Sequence, residues 1–227
     1  MKLYTYYSAS HHVLFERYFL PSLPVGDDLE LEVNRIRQFG DGNYMTQGWR
    51  ETMREKVGII LGALDREERF IWADCDVQFF GPIAAVLSEE LGDHELACQN
   101  DSGGMLCAGL FVCRSTDNMK RLFRTIYDEM TVDSSQEDDQ QRLNRHAHAY
   151  RCKFLSSRFW TVGVHLNGPG RPLTRWHGHD FEVPEGILAH HANWTVGVEN
   201  KIRLLDLVQR KVHVSRRVPA AATSEDL

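Results

Sequence analysis

The chain has 227 residues, a net charge of −6, and 42% hydrophobic and 26% charged residues, which fits one α/β domain able to bury a core. Acidic and basic residues are mixed along it, which argues against nucleic acid or an anionic membrane as the main partner. No run approaches the ~18 apolar residues of a membrane span, and MKLYTYYSASHH turns polar too early for a signal peptide, so the expected location is cytoplasmic.

Leu3 to Tyr7 is an aromatic, β-prone run ending in Ser8-Ala9-Ser10. HHVLFERYFL has helical spacing at Val13, Leu14, Arg17 and Tyr18, and Pro21 is expected to stop it. Strand, small-residue turn and helix is how a doubly wound α/β domain begins. Leu29, Leu31 and Val33 alternate with Glu30, Glu32 and Asn34 as a half-exposed strand does. Thr46 is placed to cap a helix running to about Leu64, with Trp49, Met53, Val57, Ile60 and Leu64 on one face. Phe70 to Val77 is apolar on both faces, the pattern of a central parallel strand. Gly81-Pro82 breaks it, and Pro82 opens a helix from Ile83 to Leu91. Leu96 to Gln99 and Leu106 to Cys113 read as strands on either side of Ser102-Gly103-Gly104. Ser115 or Thr116 caps a helix with Met119, Leu122, Phe123, Ile126 and Met130 inward. Ser134 or Ser135 precedes another, bearing EDDQQRLN. Phe154-Leu155 and Ile187 to His190 read as late strands, with a Gly/Pro-rich loop region between them. Val198 to Val212 is the last helix, and PAAATSEDL reads as a disordered tail. One domain over 1–214 and a tail over 215–227 are expected. The five cysteines, Cys75, Cys98, Cys107, Cys113 and Cys152, include no CxxC pair and read as reduced thiols.

Three stretches carry candidate chemistry. In FIWADCDVQFF, Asp74 and Asp76 are two positions apart and face the same side if the strand continues through them. Two carboxylates ~4 Å apart repel by about 4 kcal/mol at an effective dielectric of about 20, and a divalent cation removes that conflict. The alternative is that the strand has already ended and the pair sits in a water-facing turn. In ILAHHANW, residues 187–194, an apolar run ends in two imidazoles. Either a satisfied pair of core histidines or one ligand to a borderline cation such as Mn2+ fits that pattern. In EDDQQRLN, Asp138 and Asp139 suit the first turn of a helix, and a carboxylate there can also be aimed into a site. The His177-Gly178-His179 pair lacks the further ligands a zinc site needs and reads as a loop.

Taken in order, these pieces resemble nucleotide-diphospho-sugar transferases of the GT-A fold, an α/β, Rossmann-like fold with a mixed, mainly parallel sheet flanked by helices. The likeness is greatest to the family 77 group of plant cell-wall xylosyl- and arabinosyltransferases. Ile71-Trp72-Ala73-Asp74-Cys75-Asp76-Val77 is similar to the family's DxD segment, and Cys107 to Ser115 to its N-x-G-F-x-x-x-R-S strand. Asp139-Gln140-Gln141-Arg142-Leu143-Asn144 is similar to its DQxxLN helix start. His191-Ala192-Asn193-Trp194, with Gly197 and Lys201, is similar to its closing HxNW…G…K. Cys107 and Ala108 stand where the family has Asn and Thr.

The resemblance implies a metal-dependent glycosyltransferase taking a sugar from a nucleotide-diphosphate donor, a UDP-sugar first among them, to a carbohydrate or glycan acceptor. Asp74, Asp76 and His191 would hold Mn2+ or Mg2+, with His190 the competitor for the third place. Tyr6, Ser8, Lys56, Asp74 and Lys201 would contact the donor. Asp139 and Gln140 would face the transferred sugar. An inverting course would need a base, for which Asp101 and Asp139 are candidates; a retaining course would use front-face attack assisted by the donor phosphate. A nucleotidyltransferase of related fold is the alternative enzyme, but YYSASHH replaces the Gly-rich basic signature expected after its first strand. An inactive sugar-binding module is the third reading.

Overall fold

The computed structural model describes residues 1–42, 44, 46, 48–101, 104–132, 137–161 and 181–217, with side chains of the last helix to 213. The His177–His179 pair, Ser134, Ser135 and the tail beyond 217 lie outside these residues.

Strand β1, Lys2–Tyr7, is rich in aromatic and β-branched residues and opens the larger sheet. It runs parallel to both β2, Glu30–Arg35, and β3, Arg69–Ala73. With β5, Leu96–Asp101, β6, Met105–Arg114, and β7, Cys152–Phe154, the sheet has the order β2-β1-β3-β6-β5-β7. Strand β6 alone opposes its neighbours, pairing antiparallel with β3 and β5, so the sheet is mixed and mainly parallel. Strand β4, Val77–Phe79, β8, Phe159–Thr161, and β9, Ala189–His191, form a second sheet of order β4-β9-β8.

Alternation along the central strands builds two cores. Phe70 and Trp72 of β3, with Tyr4 and Phe111, face helices α1, Trp49–Arg66, and α3, Asp117–Val132. Ile71 and Ala73, with Leu3, Leu110 and Val112, face the opposite core. There they meet Leu14 and Phe19, then Leu87 of α2, Ala84–Leu91, and Leu204, Leu205 and Val208 of α5, Val198–Arg217. Being buried on both faces is why β3 reads as one apolar run.

Several boundaries differ from expectation for local reasons. The first helical run continues from Ala9–His11 through Leu20–Ser22 and contains Pro21. A π-type turn, Phe15–Phe19, precedes the proline, whose missing N–H is tolerated in a new first turn. Gly48, at φ 88°, rather than Thr46, is the N-cap of α1. Phe70–Val77 is not one strand: β3 ends at Ala73, the chain turns, and it resumes as β4 in the second sheet. Strand β8 is three residues long, too short for its alternation to register in the sequence. The last helix runs to Arg217, past the expected end at Val212.

Candidate active site

The Asp74–Asp76 pair lies on a tight turn, closed by Val77 N–H donating to the Asp74 carbonyl at 3.0 Å. Asp74 N–H still bonds the Gly109 carbonyl at 2.8 Å, so the large sheet fixes one end of the turn. The small sheet fixes the other, because Val77 opens β4 in register with His191 of β9 and Ala192 N–H donates to the Asp76 carbonyl at 3.1 Å. The turn is the joint between the two sheets, and the β4–β9 ladder is what brings a histidine more than a hundred residues away beside Asp76.

The pair is therefore neither in an extended strand nor in a water-facing turn. Asp76 is 4% exposed, and its Oδ1 lies 3.2 Å from His191 Nε2. Lys201, from the first turns of α5, donates to Asp76 Oδ2 and to the Ala192 carbonyl. Trp72 Nε1 donates to Asp74 Oδ1 at 2.8 Å, and Lys56 Nζ to Asp74 Oδ2 at 3.0 Å. The same ammonium lies 3.0 Å from Asp139 Oδ2, so a buried lysine on α1 joins the turn to helix α4, Asp139–His146.

The charges follow from this packing. Burial alone would raise the Asp76 carboxyl, but Lys201 and His191 outweigh it and hold it well below the ordinary range. Asp74 is raised, by burial and the like charge of Asp76 against the pull of Lys56. Burial would lower Lys56, yet Asp139 and Asp74 overcome it and raise it. For His191 burial is likewise outweighed, chiefly by Asp76, and its pKa is held up at about 10. His11 is pushed down to about 4 by burial and by Lys201.

Helix α4 is positioned by its ends. Asp138 is its N-cap, accepting from Gln141 N–H at 2.8 Å while the Gln141 side chain accepts from Asp138 N–H at 3.0 Å. Asn144 mimics a strand edge against β6: it accepts from Leu106 N–H at 2.8 Å and donates to the Leu106 carbonyl at 2.9 Å. Gln140 Oε1 accepts from Ala108 N–H at 3.1 Å, and its Nε2 donates to Asp101 Oδ2 at 2.6 Å. Asp101, 1% exposed, also receives Trp194 Nε1 on that oxygen. Trp194 has φ 55°, a strained value for a bulky residue. Its backbone N–H bonds the Asn193 side chain at 2.9 Å, which helps hold it there.

Lys56, Asp74, Asp139, Gln140, His191 and Lys201 line one cleft of about 80 Å³. Tyr6, Ser8 and Asp76 line a pocket that adjoins it and shares Asp74 and Lys201. Asp101 does not line the cleft; it stands behind Gln140. His190 points away, fully buried against Trp160 at 5.3 Å between ring centres, as strand alternation requires of neighbouring residues. His11 and Tyr44 also line the cleft and were not singled out in the sequence; Met53 and Trp49 were read there as a helix face and Trp194 as part of the HxNW motif. Tyr44 packs edge-on to Trp49 at 5.2 Å and Trp194 at 5.8 Å, forming an aromatic wall. Apolar residues scattered over two loops and a helix leave no periodic signal.

The ligand atoms of Asp74, Asp76 and His191 lie within 4.8 Å of one another. Two carboxylates and an imidazole suit a borderline divalent cation, so the donor set fits a metal. Gly109 makes room for the His191 ring: a Cβ there would fall 2.2 Å from His191 Cε1.

Comparison with known proteins returns no significant match among curated sequences. Among solved structures, the fold is similar to the galactosyltransferase LgtC, solved in complex with donor and acceptor sugar analogues. The TM-score is 0.56 at 12% identity, over 97% of this chain and 98% of that one. It is also similar to a glycosyltransferase involved in glycosylation of the major capsid of PBCV-1, with TM-score 0.59 at 9% identity over 91% and 98%. The glycosyltransferase GlyE of Streptococcus pneumoniae gives TM-score 0.51 at 14% identity; 69% of this chain spans 45% of that one. The model of the nucleotide-diphospho-sugar transferase family matches residues 27–205, and with that match over most of its length, on a GT-A fold, the chain belongs to the nucleotide-diphospho-sugar transferases.

Proposed function

We propose that this glycosyltransferase binds Mn2+ or Mg2+ through Asp74, Asp76 and His191, and moves a sugar from a nucleotide diphosphate, a UDP-sugar first among the candidates, to a hydroxyl of a glycan or similar acceptor. The observation that carries this reading is the convergence of the Asp74–Asp76 turn with His191 across the β4–β9 ladder. A buried carboxylate and a half-buried one so close are favourable together when a cation lies between them. When bound, the ion stabilises charge developing on the diphosphate leaving group.

The chain's own groups supply the rest. Lys201 adds fixed positive charge at the same corner, preorganised for a diphosphate. Tyr6, Ser8 and His11 stand at the carboxyl end of β1, the edge where open α/β sheets bind ligands, and are assigned to the nucleotide. Lys56 contacts the donor side while holding Asp74 and Asp139 in fixed relation. Asp139 and Gln140 face the sugar. Trp49 Nε1, buried without a partner among the described residues, is a donor for a ligand oxygen, and the wall of Tyr44, Trp49 and Trp194 suits a sugar's apolar face. On an inverting course Asp139, which lines the cleft, is better placed as base than Asp101, which is sealed behind Gln140. On a retaining course the donor phosphate assists attack and no side-chain base is required.

With Mn2+ and no acceptor, the purified protein is expected to hydrolyse a UDP- or GDP-sugar slowly, and Asp76→Ala to abolish this. Equal turnover with and without a chelator across a full donor panel would overturn the reading. A thermal-shift panel of nucleotides, with and without Mn2+, identifies the base, because a ligand confined to the folded state raises Tm.

A further inference from the structure

A histidine serves as a metal ligand through a ring nitrogen with a free lone pair, so the proton of the neutral ring must be held on the other nitrogen. In this fold the partner of that other nitrogen comes from the large sheet. Strand β5 slips its register against β6 between Cys98 and Asn100, which makes Gln99 the residue at a bulge. Bulges re-aim side chains, and Gln99, fully buried, reaches across to the small sheet. Its Nε2 donates to the Trp160 carbonyl of β8 at 2.7 Å, and its Oε1 lies 3.2 Å from His191 Nδ1 of β9.

The geometry leaves one assignment. The Trp160 carbonyl only accepts, so it commits the amide nitrogen of Gln99 and turns the amide oxygen to His191. That oxygen also only accepts, so the ring hydrogen sits on Nδ1. In the metal-free ring Nε2 also carries a hydrogen, donated to Asp76 Oδ1 3.2 Å away; when that proton gives way to a cation, Nδ1 keeps its own and the lone pair lies on Nε2. Cys107 Sγ, 3.4 Å from Nδ1, is a weaker acceptor and already receives Gly109 N–H and the Asn193 amide. The ring, closely packed against Gly109, has little room to turn over.

We infer that Gln99, aimed by the β5 bulge, is a positioning residue that fixes the tautomer and orientation of His191 so that Nε2 is the metal-binding atom. This rests on the cation site proposed above. The test is Mn2+ binding followed by EPR, with pulsed EPR reporting the ring-nitrogen coupling, on wild type, Gln99→Met and Gln99→Glu. Gln99→Met keeps the side-chain volume and loses the acceptor; the expected result is roughly 10- to 100-fold weaker Mn2+ binding, with loss of the nitrogen coupling. Gln99→Glu, protonated in this fully buried place, donates its O–H to the Trp160 carbonyl and keeps an acceptor toward Nδ1, and is expected to recover affinity and coupling. Wild-type behaviour of Gln99→Met would overturn the inference, as would equal weakening of both variants with a matching fall in Tm, which is the signature of packing alone. Wild type that binds no Mn2+ would remove the cation site itself, and this inference with it.

Discussion

At the scale of single residues, the site is governed by how buried charges are matched. Lys56 is 2% exposed and sits between Asp74 and Asp139. Removing one partner from such a group leaves the others buried and uncompensated, a loss of roughly 3 kcal/mol, toward the low end because Asp74 is partly exposed. Lys56→Met is therefore expected to lower unfolding free energy by about 3 kcal/mol in urea titration; a change indistinguishable from wild type would mean the two carboxylates are satisfied without it. In the sequence Lys56 stood out as a cation on the helix before the DxD segment. That it clamps two acids from different elements was not legible, because nothing local links α1 to α4. Asp101 shows the opposite case. It is an acid near the site by sequence and a buried acceptor for Gln140 and Trp194 in the fold.

At the scale of elements, two short devices set the site. One is the 74–76 turn. The other is the Asp138–Gln141 capping box of α4, which the pattern EDDQ had suggested as capping. Asp138 is pushed up to about 6, by burial and then by the like charge of Asp139. Its folded pKa lies above its unfolded value, so between about pH 4 and 6 the folded state holds more protons and stability declines as pH rises through that window. Asn at this position still accepts from Gln141 N–H and carries no charge. Asp138→Asn is thus expected to raise Tm at pH 7.5, whereas Asp138→Ala loses the cap and about 1 kcal/mol. Thermal unfolding of the two variants checks this; equal destabilisation would show that the ionised carboxylate itself is needed.

At the scale of the molecule, the small sheet is held neutral on one side and charged on the other. His191 faces Asp76, while His190, fully buried with both ring nitrogens unpartnered among the described residues, is pushed down to about 3 by burial and then by His191. Unfolding exposes an imidazole that takes up a proton at about 6.5, so between that pH and about 3 the unfolded state binds more protons. Stability from this group therefore falls by ~1.4 kcal/mol for each unit of acidification below about pH 6. His190→Phe is expected to flatten the decline of unfolding free energy between pH 6 and 4, read by urea titration at each pH. A decline as steep as that of wild type would place the acid sensitivity elsewhere, with His11, pushed down to about 4, the next group to test.

What the sequence determined by itself is whatever depends on neighbours along the chain: the buried strand at Phe70, the faces of α1 and α3, the cap of α4, and the ordered motifs that resemble one transferase fold. Burial on both faces and 3.6-residue periodicity are local patterns, and they survive folding unchanged. Only the tertiary structure decided that Asp74 and Asp76 lie on a turn between two sheets, that His191 and not His190 meets them, and that Gln99 reaches His191 from a bulge. Each of these depends on the pairing of strands distant in sequence. A one-residue change of register exchanges the two faces of a strand, so the ladder joining β4 to β9 is what selects the histidine.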